Sequence, residues 1–217
     1  MKMAEAAAFP QGADLKTRRS ATIFLAMFAV YTAVAIVMLL IGLLPALAKA
    51  VPAIRETFEG WAQGGGPTAG FWLGMAQASQ FSEGLGRVAL DYLFSGLNVG
   101  FGIFIVWRRP WDWTARILGV ALVGTGNVFN FQAHTAILTT WNSLSGLHLG
   151  YHAVSGATYV HALLIFPNGK LAPRWTGWGI AVTYLLIVGW IAIAAIPSAM
   201  GDPLFVGEAS EVYSSMS

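Results

Sequence analysis

From Ala21 to Ala48 the chain runs without a charged residue, and four more long apolar stretches follow it: Val88 to Trp107, Thr114 to Thr139, Leu144 to Phe166 and Trp175 to Ser198. Crossing roughly 30 Å of hydrocarbon takes about 20 such residues in helix. In lipid no water is present to bond a bare backbone, so a spanning segment must satisfy its own N–H and C=O groups, which selects the helix. The sequence therefore predicts an all-α fold, a polytopic transmembrane helical bundle of five spans. Composition excludes the ordinary soluble alternative: 10% of the residues are charged, against about 25% in soluble domains.

Lysine and arginine orient the spans. With the N-terminus inside, the inner segments hold Lys2, Lys16, Arg18, Arg19, Arg108, Arg109, Arg116, Lys170 and Arg174, and the outer ones only Lys49, Arg55 and Arg87. The excess of basic residues predicts a cytoplasmic N-terminus and a C-terminus outside. Residues 1–20 then form a cytoplasmic segment, 21–198 the membrane domain with an outer loop at 49–87, and 199–217 an outer tail. The first apolar run is too long for a cleavable signal peptide and is expected to stay in the protein. The tail carries no further span, as expected of one part of a longer chain. Multi-pass residence in a bacterial cytoplasmic membrane follows, with lipid, other membrane subunits or a second copy as partners. No nucleic-acid footprint is visible.

Two links are short, "RRPWDWTAR" and "PNGKLAPR", and their tryptophans read as an interfacial belt. In the long link Ile54, Phe58 and Trp61 recur at helical spacing opposite Arg55, Glu56 and Glu59, predicting a short amphipathic helix on the outer surface. "GGGP" at Gly64 to Pro67 ends it, and "GFWLGMAQ" returns toward the interface. The loop reads as an ordered lid or packing element, with ligand capture as the alternative.

Positions three, four and seven apart share a helix face. By that rule Asp91, Ser95 and Asn98 form a polar stripe on the second span, Asn127, Asn130 and His134 on the third, and His148, His152, Ser155 and Tyr159 on the fourth. The assigned directions put Asp91 and the three histidines in the outer half of the bilayer. Polar groups in hydrocarbon need partners, so the stripes are expected to face one another or a wet cavity. Gly96/Gly100 and Gly146/Gly150 have the spacing of close helix contacts. Gly124 and Gly126 read the same way.

Imidazole is the commonest metal ligand, and His148 and His152, four apart, could share a metal with His134 or Asp91 as third ligand. Haem held between His134 and His148 or His152, or a chlorophyll-type pigment on one histidine, is an alternative; satisfied polar packing and a small-ligand or proton-sensing site are others. Cysteine is absent, which removes thiolate sites. No H-E-x-x-H pair, G-x-S-x-G elbow or phosphate loop is present, so no catalytic constellation is predicted.

The stretch "HALLIFPNGKLAPRW", His161 to Trp175, resembles the "LxFPxGr…PRW" loop of the multi-span N-terminal sensor regions of bacterial signalling proteins, the membrane histidine kinases above all. Phe166, Pro167, Gly169, Lys170, Pro173, Arg174 and Trp175 carry the likeness, with Lys170 where arginine is usual. It implies a sensor or ligand-binding membrane module with its effector elsewhere. The alternative is a non-catalytic accessory subunit of a photosynthetic or respiratory membrane complex, in contact with pigment, haem or quinone.

Overall fold

The computed structural model describes residues 15–140, 142–165, 170–171, 173 and 175–200. Among them the chain is all-helical, with eight helices and no strand: α1 (Leu15–Ala50), α2 (Pro52–Gln63), α3 (Ala69–Phe81), α4 (Leu85–Arg108), α5 (Trp113–Val128), α6 (Phe131–Thr140), α7 (Asn142–Ile165) and α8 (Thr176–Met200). Two stretches among the described residues are long and apolar enough to cross a membrane, Arg19–Ala50 and Leu85–Arg108. The helix α7 has 24 residues, but its histidines, serines and glycines dilute its apolarity.

The expected third span is not one helix. The run from Thr114 to Thr139 is divided at Phe129 and Asn130 into α5 and α6. The sequence ahead of the break, Gly124-Thr125-Gly126-Asn127, is poor in helix formers, and asparagine side chains compete for backbone partners. Asn130 does so directly: its Oδ1 accepts from the Ala133 N–H at 2.9 Å, capping the new helix. The Phe129 N–H closes the old one on the Thr125 carbonyl at 3.1 Å.

Around this broken element the bundle assembles. The helix α5 packs between α4 and α7 and against α1, while α6 packs on α1, α3 and α7. Phe28, Ala35 and Met38 of α1 meet Val106, Val123, Ile137 and Tyr151 in the main core. Contact is closest where glycine removes the side chain. A Cβ on Gly42 of α1 would stand 2.3 Å from the Ala133 Cα, and one on Gly102 of α4 would stand 2.9 Å from the Gly119 carbonyl oxygen. Gly124 and Gly126 are close contacts too, Gly124 against Tyr31 and Ser155 and Gly126 against the Ser95 carbonyl. Among the described residues, nothing lies within 4 Å of a Cβ placed on Gly96, Gly100, Gly146 or Gly150. The crossing sites read from those two pairs are therefore replaced by others, because small-residue spacing shows that a helix can be approached but not which face its neighbour takes.

The link between α1 and α4 is mostly helical. The expected amphipathic helix forms as α2, begun by Pro52 and stabilised by an Arg55–Glu59 ion pair at 2.9 Å. It folds against α3 through Phe58, whose ring lies 5.3 Å from that of Trp72. Gly65 and Gly66 turn the chain between the two helices at φ of 72° and 93°, a region that side chains with a Cβ rarely enter. Met75, fully buried, anchors α3 beside Ala48 of α1.

Candidate functional site

Each polar stripe finds neighbours on other helices. On one side of the break, the Asn130 amide donates to the Ser95 Oγ of α4 at 3.0 Å, and that hydroxyl donates to the Asp91 carbonyl one turn away at 2.8 Å. The Asp91 carboxylate pairs with Arg87 at 3.2 Å and leaves its buried Oδ2 without a hydrogen-bond partner. Asn98 turns back to the Phe94 carbonyl of its own helix. Asn127, fully buried, reaches the Met38 sulfur of α1 at 3.1 Å, with its Oδ1 unpartnered.

On the other side stand the histidines. His134 sits in the first turn of α6, which the Asn130 cap has just opened, and faces α7. The His134 Nδ1 lies 2.9 Å from the His148 Nε2, and the His152 Nε2 lies 3.0 Å from the same atom. The three nitrogens all fall within 4.8 Å of one another. His148, at the centre, is completely buried, and its Nδ1 has no hydrogen-bond partner. The i, i+4 spacing of α7 aims two rings at one point, and the break between α5 and α6 brings the third.

Asp91 is not a member of that triad; it belongs to the α4 side. Ser155 is buried on α7 beyond the histidines but turns to the Thr125 hydroxyl of α5 at 3.5 Å. Tyr159, expected on the same stripe, is 42% exposed, although eleven residues at about 100° each leave it only about 20° from the face of His148, so its exposure does not come from the helix repeat. His161 pairs instead with the Tyr184 hydroxyl of α8 at 3.2 Å.

Several buried polar groups escape the sequence reading. Tyr31 and Thr32 lie on α1, the span that looks purely apolar, and both hydroxyl oxygens are buried without partners. Tyr31 stacks on Tyr151 with ring centres 4.4 Å apart, and the Tyr151 hydroxyl donates to the Tyr31 carbonyl. No periodic signal could have found them, since two adjacent residues on a helix do not make a stripe. Gln132, two residues before His134, accepts from the Ser82 hydroxyl at 2.7 Å.

Of the stretch from His161 to Trp175, Phe166 to Gly169, Ala172 and Arg174 lie outside the described residues. What is described is its exit, where the Thr176 hydroxyl and N–H both donate to the Pro173 carbonyl as α8 begins. Comparison of the chain with protein-family models, with curated proteins and with solved structures finds no match.

Three imidazoles directed at a common point, in a bundle that offers no thiolate, present nitrogen lone pairs to whatever sits between them. The observed 2.9 and 3.0 Å separations are those of nitrogens gathered about one point, the spacing that a small ligand or single ion would meet.

Proposed function

We infer that the protein is a multi-pass membrane module of five spans that binds a small ligand at the α6–α7 interface and serves as the sensing or binding part of a larger system. One observation carries the reading: three histidines from two helices converge at the point where a membrane-length segment is interrupted. Ionisable residues are rare inside membranes and mark functional sites there, and interrupted helices place binding groups at depth in many transport proteins. Further support comes from the outward surfaces of α4 and α8, where Leu93, Leu97, Phe101, Leu185 and Leu186 are all exposed, as lipid-facing residues are.

The lack of native cysteine makes thiol labelling a clean test. Two single-cysteine variants are made, His152→Cys and Leu163→Cys, the latter at a site 62% exposed on α7, and each is reconstituted in vesicles. A small, charged, membrane-impermeant thiol reagent is expected to reach the cysteine at position 152 from one side only and to leave the one at position 163 unmodified. Equal protection of both from either side overturns the binding site. Co-purification of all native protein with a larger pigmented or respiratory complex overturns the sensor reading in favour of an accessory subunit.

A further inference from the structure

We propose that His134, His148 and His152 form a binding site for one divalent late first-row metal ion of the zinc class, with one coordination position left open. This site rests on the ligand-binding reading above and names the ligand.

A neutral imidazole carries one N–H and one in-plane acceptor nitrogen. Both His134 Nδ1 and His152 Nε2 approach the same atom, His148 Nε2, at 2.9 and 3.0 Å. If that nitrogen carries the proton, it serves one neighbour and confronts the other with no hydrogen to share. If it is the acceptor, its single lone pair must take two donors, and the proton moves to Nδ1, which is buried and unpartnered. No tautomer of three neutral rings satisfies both contacts fully. A cation among them accepts all three lone pairs at once.

The spacing of the nitrogens agrees. At metal–nitrogen distances of about 2.0–2.1 Å, neighbouring ligand nitrogens stand roughly 2.9–3.4 Å apart for angles between octahedral and tetrahedral. Two of the three separations already meet that spacing. The third nitrogen pair lies within the 4.8 Å envelope of the set, closed by a side-chain rotation of His134 or His152, neither of which is as deeply buried as His148.

Donor chemistry then selects the ion. All-imidazole sets suit zinc, copper, nickel and iron and reject magnesium and calcium, which demand oxygen. Three neutral protein ligands leave a divalent charge uncompensated and a fourth position vacant, the pattern of sites that admit an exogenous group and not of closed structural ones.

The experiment uses the full chain in detergent or nanodiscs, stripped with chelator and titrated with Co²⁺ alone, then Zn²⁺. Equimolar Co²⁺ is expected to give visible ligand-field absorption that one equivalent of Zn²⁺ abolishes. His148→Ala should remove the bands. Should that variant fail to fold, the less buried His152→Ala keeps the test, and it should weaken binding by more than the roughly 10–100-fold that loss of a group supporting a ligand costs. His161→Ala, on the far face of α7, should bind as the parent does. Absence of the bands, or bands that survive both His148→Ala and His152→Ala, overturns the site. If no metal binds while the thiol of His152→Cys is still reached from one side, the metal is withdrawn and the ligand-binding reading stands. If the parent binds metal while that thiol is sealed, the ion is structural and the open position is wrong.

Discussion

His148 shows how much can depend on one side chain. It is fully buried between two other imidazoles, whereas Asp91, which the sequence places at the same depth, answers to Arg87 on its own helix. The two should therefore differ in coupling. In double-mutant cycles read by detergent-induced unfolding, His134→Ala and His148→Ala should interact by roughly 0.5–3 kcal/mol, as residues in contact do, while Asp91→Asn with either should add within about 0.5 kcal/mol. Strong coupling of Asp91 to the histidines would favour the single shared pocket that helix periodicity predicts. Periodicity identifies the residues but not the partition, because it assigns a face to each helix and says nothing of which neighbour that face meets. Tyr159 illustrates the same limit from the other end: its offset from His148 is acceptable over three turns of counting, yet its ring is exposed.

Among the elements, the helices are legible in the sequence and one interruption is not. Apolar length marks where a segment begins and ends, and a two-residue break inside it hardly changes the count. The signal is present in Gly124, Gly126, Asn127 and Asn130, poor helix formers crowded into two turns. Helix crossings are legible only in kind. Gly42→Ala would bring a methyl group to 2.3 Å from the Ala133 Cα and 2.4 Å from its backbone nitrogen, and backbone cannot step aside as a side-chain end can. That substitution is expected to cost at least the roughly 1–3 kcal/mol typical of overpacking. Gly100→Ala, with open space around it, should be neutral or stabilising by up to about 1 kcal/mol, the helix-propensity difference. Unfolding curves for the two variants check the contrast; similar losses at both positions would mean that α1 does not cross α6 at Gly42.

For the whole molecule, so apolar a composition demands a bundle that keeps much of its apolar surface outward, and the exposed sides of α4 and α8 agree with it. Leu186 is 69% exposed and Leu97 52%. Read as lipid contacts, both should resist charge: Leu97→Lys and Leu186→Lys are each expected to lower membrane insertion, by about 3–4 kcal/mol if the position lies near the middle of the bilayer. Glycosylation mapping of the inserted fraction measures this. Insertion unchanged by lysine at both positions would place these faces against water or a polar partner. The orientation implied by the basic residues is checked by thiol labelling of Trp61→Cys and Trp178→Cys, which are expected to react from opposite sides.

The short helix α6 is ten residues long and has its own hydrogen-bond ladder, separate from that of α5. It is gripped at its start: Gln132 holds the Ser82 hydroxyl, and the Ser82 carbonyl in turn receives the Lys49 ammonium at the end of α1. Two residues after that grip comes His134. The first turn of α6 thus carries both a member of the histidine cluster and the contact that ties it, through Ser82, to the corner between α3 and α4 and to the end of α1.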